Sequence, residues 1–107
     1  MNYLLKIISL LAILVFLFHF NGKAQNSGSI EGRVVNIEDG NGVPSVNVIL
    51  NETMLGSATG LHGNFTINKI PEGSYTLLVS FLGFETVQKK VLVVADSTIE
   101  IKIEMTP

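Results

Sequence analysis

The sequence predicts an all-β fold, an antiparallel sandwich of six to seven strands, from three observations. Beyond residue 29 apolar side chains recur at every second position, and no stretch there has helical periodicity. Clusters of Gly, Asn, Asp and Pro interrupt the alternation and supply the turns. The run Ile99–Glu104 alternates Ile with Glu and Lys throughout, as a strand does with one face in a core and one in water.

The elements follow in order. Ile30, Gly32 and Val34 alternate with Glu31 and Arg33 in a first strand, and Glu38-Asp39-Gly40-Asn41-Gly42 turns the chain. Pro44 fixes φ before a second strand in which Val46, Val48 and Leu50 point inward, with Ile49 apolar on the opposite side. Gly56–Thr59 reads as a short strand before the turn Gly60–Asn64. Phe65 and Ile67 point inward around Thr66, and Pro71-Glu72-Gly73 forms the next turn. Tyr75, Leu77, Val79 and Phe81 make the longest inward face. Gly83 is a corner, Thr86–Val94 the following strand, and Asp96-Ser97 the last turn.

Residues 1–24 stand apart. Lys6 precedes an apolar run, Ile7–Phe20, and small residues at Gly22 and Ala24 match the spacing of a signal-peptidase site. The run is about 14 residues, short of the roughly 20 that span a bilayer, so cleavage after Ala24 is expected rather than anchoring. The expected organisation is a signal peptide at 1–24, a flexible leader at 25–28 and the sandwich at 29–105. No second apolar segment follows, so no helical membrane span is expected in the processed chain.

Composition excludes several function classes. After Ala24 there are nine carboxylates and five Lys or Arg residues, a net charge of −4, which repels a nucleic-acid backbone. There is no cysteine, hence no disulfide, thiolate metal site, cysteine nucleophile or lipoprotein anchor. His62 is the one histidine beyond residue 24 and sits in a Gly-flanked turn, where solvation is the ordinary state. Ser57, His62 and Asp39 can be written as a triad, but nothing in their spacing supports one. Gly40-Asn41-Gly42 lacks the lysine and helix start of a phosphate loop. No catalytic residue, metal site or cofactor is expected. Tyr75 and Phe81 read as core and Phe84, past the corner, as exposed. Leu82 and Phe84, with Leu92 and Val94 on the Thr86–Val94 strand, are the candidate interaction residues.

Four segments resemble the carboxypeptidase regulatory-like family: Ile30–Val35, Gly42–Val48, Thr59–Phe65 and Pro71–Thr86. The most specific reads Pro-Glu-Gly-Ser-Tyr-Thr-Leu-Leu-Val-Ser-Phe-Leu-Gly-Phe-Glu-Thr. Ser45 stands where the family usually has glycine, and Gly60 and His62 where aspartates often occur, which weakens any cation-binding role for that turn. The resemblance implies a transthyretin-like (prealbumin-like) sandwich. It also implies the N-terminal extension of a SusC-like TonB-dependent outer-membrane nutrient receptor, carried on a chain that stops where the receptor would continue. The expected role is then a non-catalytic module exported to the periplasm or outer membrane of a Gram-negative bacterium. Its partner would be a protein of the cell envelope, either the receptor plug and barrel or the energy-coupling machinery. The alternative is a free-standing secreted sandwich that binds oligosaccharide or mediates adhesion. The edge strands Thr86–Val94 and Ile99–Glu104 are the candidate docking segments, because an edge carries unpaired backbone groups.

Overall fold

The structure, a computed structural model, describes residues 2–20 and 26–107. The expected cleavage point after Ala24 lies outside the described residues. A 19-residue helix, α1 (Asn2–Phe20), comes first. No helix among the described residues is long and apolar enough to cross a membrane.

Seven strands follow: β1 (Ser27–Asn36), β2 (Asn47–Leu50), β3 (Gly56–Ala58), β4 (Asn64–Pro71), β5 (Gly73–Ser80), β6 (Val87–Val93) and β7 (Thr98–Met105). They form a three-stranded sheet, β4-β1-β7, facing a four-stranded one, β3-β2-β5-β6. The two-layer architecture is the one the alternation predicts. β1 begins earlier than expected, since Ser27 pairs with Pro71 and Gly28 with Ile70. Residues 27 and 28 therefore belong to the sandwich and not to a flexible leader. One pairing is also not antiparallel. β1 and β7 run parallel, with Ile30 beside Ile99, Gly32 beside Ile101 and Val34 beside Ile103. A parallel pair needs a long crossover, and here the rest of the sandwich provides it.

The core lies between the sheets. Ile30, Val34, Val46, Val48, Leu50, Ile70, Leu77, Val79 and Met105 are wholly buried, each worth about 1.5–3 kcal/mol in apolar transfer. Gly32 occupies an inward register position directly opposite Phe65. A Cβ there would collide with the Phe65 ring, so the glycine makes room for the aromatic. On β4 the buried residues Ile67 and Ile70 are three apart, which a regular strand forbids. A bulge resolves this: the register shifts between Gly28 and Ile30, and Lys69 adopts φ 56°. Ile70 is thereby returned to the core.

Pro71-Glu72-Gly73 does not close a hairpin within one sheet. It carries the chain from β4 to β5 in the opposite layer. The Tyr75 hydroxyl donates to the Pro71 carbonyl oxygen at 2.6 Å and braces this corner. At the other end of β5 the expected core is corrected. Phe81 is 36% exposed, and Phe84, expected outside, is half-buried against the core. The Phe84 amide donates to the Phe81 carbonyl at 3.1 Å, a turn completed by Gly83 at φ 89°. That turn folds Phe84 back beneath Phe81, with ring centroids 5.9 Å apart.

Candidate interaction surface

The candidate side chains are best placed by the two ends of the sandwich. At one end lie the loops 37–46, 59–63 and 81–86 and the close of β7; at the other lie the loops 51–55 and 94–97 and the start of β1. The first end is tied together by backbone bonds. The Ile37 amide donates to the Met105 carbonyl and the Glu85 amide to the Thr106 carbonyl, at 3.0 and 2.8 Å. Its loops are pinned by Thr59, the one buried polar residue among those described. The Thr59 hydroxyl accepts from the Val46 amide at 2.9 Å and donates to the Val43 carbonyl at 2.6 Å. The Thr59 amide and carbonyl bond Val46 and Ser45 in turn. Gly42 and Gly63 meet across this region, and a Cβ on either would strike a carbonyl oxygen, of His62 or of Val34.

Around this pinned end several apolar side chains face water: Leu82 at 94% exposed, Leu61 at 79%, Ile37 at 52%, and Phe81. Leu82 is a sequence-selected residue, whereas Ile37 and Leu61 were missed. Each is a lone apolar residue inside a turn cluster, and the alternation that marks strands does not reach it. Leu92 and Val94 are exposed as expected, but they sit at the far end of β6. Leu92 lies five residues beyond Val87, roughly 17 Å along the strand. The four sequence candidates therefore divide into two places, and Phe84 lends only a half-buried edge to the first.

Among the described residues no cluster of reactive groups forms. Ser57 donates to the Ala58 carbonyl, Asp39 accepts from the Asn41 amide, and the His62 side chain is exposed. No hydrogen bond joins these three among the described residues. Nor does any group of three or more His, Cys, Asp or Glu residues there have the arrangement of a metal site. An open groove of about 750 Å³ crosses the outer face of β5 and β6, lined by Asn51, Thr53, Ser74, Thr76, Lys90 and Leu92. β6 and β7, the segments proposed from sequence as docking edges, do each end a sheet.

A family model described as the CarboxypepD_reg-like domain matches residues 30–107. The chain belongs to the CarboxypepD_reg-like family. TonB-dependent receptor P3 of Formosa agariphila is 36% identical over 69 residues, 64% of this chain and 7% of the receptor. TonB-dependent receptor P39 of the same organism is 34% identical over 68 residues, 64% of this chain and 6% of that receptor. The chain thus spans under a tenth of the length of these curated relatives. Among solved structures, 5-hydroxyisourate hydrolase of Klebsiella pneumoniae superposes with a TM-score of 0.60 at 18% identity, over 75% of this chain and 90% of the enzyme. A putative carbohydrate binding protein of Bacteroides uniformis gives 0.57 at 17% identity, over 75% of this chain and 41% of that one. Such distant likenesses show the CarboxypepD_reg-like chain to share their fold and nothing more. Ser45 has φ 62°, a conformation that glycine adopts without strain.

Proposed function

We propose that this chain is a non-catalytic interaction domain of a TonB-dependent outer-membrane nutrient receptor, standing on the periplasmic side as the receptor's N-terminal extension. One observation carries the reading: the family match over residues 30–107 coincides with curated relatives that are TonB-dependent receptors. The apolar segment ahead of β1, with Lys6 before it and Gly22 and Ala24 after it, supports export. The surface chemistry agrees with contact rather than turnover, because Ile37, Leu61, Phe81 and Leu82 are exposed at the pinned end among polar and charged turn residues such as Glu38, Asp39, His62 and Glu85. In a receptor the chain beyond β7 leaves at that end. The following plug, or a component of the energy-coupling machinery, would meet Ile37, Leu61 and Leu82 first. Three exposed aliphatic side chains on converging loops make a small apolar contact patch whose burial against a partner is favourable.

The test is site-specific photo-crosslinking in cells that make the chain as the N-terminal part of its receptor. A photoreactive residue at Leu82 is expected to yield adducts with the receptor plug or an energy-coupling component, identified by mass spectrometry. One at Met54, exposed at the opposite end, is expected to yield none. Equal labelling from both ends, or no envelope-protein adduct from Leu82, would defeat the proposal.

A further inference from the structure

The four sheet edges differ in how they are guarded. β3 has three residues. β4 is interrupted by its bulge at Lys69 and ends in Pro71. β6 carries Lys89 in its inward register, opposite the buried Leu77. Short length, bulges, proline and inward lysines are all devices that discourage edge pairing. β7 has none of these over its eight residues, only the outward charges Glu100, Lys102 and Glu104, and among the described residues no strand pairs with its outer side.

The hydrogen-bond pattern fixes which β7 groups are open. The Ser97 and Met105 carbonyls accept from β1 and the residue after it, at the Ser29 and Ile37 amides, whereas the Thr106 carbonyl accepts from Glu85 on the other side. Backbone groups alternate along a strand, so Thr98, Glu100, Lys102 and Glu104 turn their N–H and C=O to the open edge. The same four side chains are exposed on the outer face. There β1 and β7 set like charges side by side, Glu31 beside Glu100 and Arg33 beside Lys102. Like charges directly opposite are unfavourable in a sheet.

We propose that β7 pairs antiparallel with β7 of a second copy of this chain, about a two-fold axis through Ile101. In that register Glu100 faces Lys102 of the second copy, Lys102 faces its Glu100, and Thr98 faces its Glu104. All four open positions fall in hydrogen-bonded pairs. The acidic row Glu31–Glu100 then abuts the basic row Lys102–Arg33 of the second copy, which relieves both like-charge contacts. Moving the axis to Lys102 would oppose Lys102 to Lys102 and Glu100 to Glu104. Moving it to Glu100 would oppose Glu100 to Glu100. Centring on Ile103 would call on Thr106, whose carbonyl already serves Glu85, and centring on Ile99 would call on Asp96, whose amide already donates to the Ser27 carbonyl. Charge and backbone parity therefore select one register. The product is a continuous six-stranded sheet, and the half-buried Ile99 and Ile101 gain cover from Ile103 and Ile101 of the second copy. This pairing is independent of the receptor assignment.

Because the chain has no cysteine, single cysteines report the register in the full chain. Ile101 would face itself across a non-hydrogen-bonded pair, at a Cα separation of about 4.5 Å that admits a disulfide. Ile101→Cys is expected to form a covalent dimer under mild oxidant, while Glu100→Cys and Lys102→Cys alone form little. Association through α1 would not reproduce that positional pattern. In the Ile101→Cys background, Glu100→Lys opposes lysine to lysine and is expected to abolish the dimer. It also sets a lysine beside Glu31, which favours the fold, and circular dichroism of the variant is expected to match the parent. Adding Lys102→Glu restores complementarity and is expected to restore the dimer. No dimer from Ile101→Cys, equal dimer from Glu100→Cys or Lys102→Cys, or no recovery in the double charge swap would each overturn the pairing.

Discussion

Replacing Thr59 by valine removes one hydroxyl from the interior and keeps the side-chain shape. That hydroxyl is the sole acceptor for the Val46 amide among the described residues, and it donates to the Val43 carbonyl. Valine leaves the buried Val46 N–H without a partner, at about 1–3 kcal/mol, and weakens the satisfaction of the Val43 oxygen as well. The total loss is about 2–4 kcal/mol. A domain of this size has a stability of only about 5–10 kcal/mol, so this is a large fraction. At about 4–8 °C per kcal/mol for a domain of 60–100 residues, the midpoint of thermal unfolding falls by roughly 8–32 °C. Thr59→Ser keeps both hydrogen bonds, loses one methyl group and is expected to cost about 1 kcal/mol. Urea unfolding followed by far-ultraviolet circular dichroism measures both variants with one slope. If Thr59→Val lies within about 0.5 kcal/mol of the parent, or below Thr59→Ser in its cost, the pinning assigned to this hydroxyl is wrong.

Other substitutions have equally definite outcomes. Ser45→Gly relieves a φ of 62° and is expected to stabilise by about 0.5–1 kcal/mol in the same urea assay, whereas Ser45→Val, β-branched at positive φ, destabilises. Gly42→Ala drives a methyl group into the His62 carbonyl and is expected to cost about 3 kcal/mol, seen as a lowered unfolding midpoint and a poorer soluble yield. Tyr75→Phe deletes the bond to the Pro71 carbonyl and is expected to cost about 1 kcal/mol by urea titration. Leu82→Ser, at a site 94% exposed, is expected to leave stability within about 0.5 kcal/mol by urea titration while reducing the adducts formed by a photoreactive residue placed at Leu61 on the same end.

Much of this fold is written in local period. Ile30 and Val34, Val46, Val48 and Leu50, Leu77 and Val79, and Ile103 are buried where alternation puts them, because a pleat sends alternate side chains to opposite faces. Period fails where the backbone departs from a regular strand. It cannot foresee the bulge that spaces Ile67 and Ile70 three apart, nor the turn at Gly83 that exchanges Phe81 and Phe84. Nor does it carry pairing partners, and so the parallel match of β1 with β7 could not be read from either strand alone. The surface was less legible than the core. Leu82, Leu92 and Val94 were visible as apolar residues outside the inward register, but only the topology shows that they lie at opposite ends. Ile37 and Leu61 acquire significance only once three loops and the end of β7 are seen to converge.

The arrangement with β1 inside one sheet and β7 at its open edge underlies the core, the pinned end and the proposed pairing alike. Residue-resolved amide hydrogen exchange on dilute protein tests it directly. The amides of β1 should exchange slowly on both sides of the strand. Along β7, those of Ile99, Ile101, Ile103 and Met105 should be slow and those of Glu100, Lys102 and Glu104 fast, with the fast set slowing as concentration rises. Uniform protection along β7 at every concentration, or β1 amides that exchange as quickly as a loop, would contradict the account.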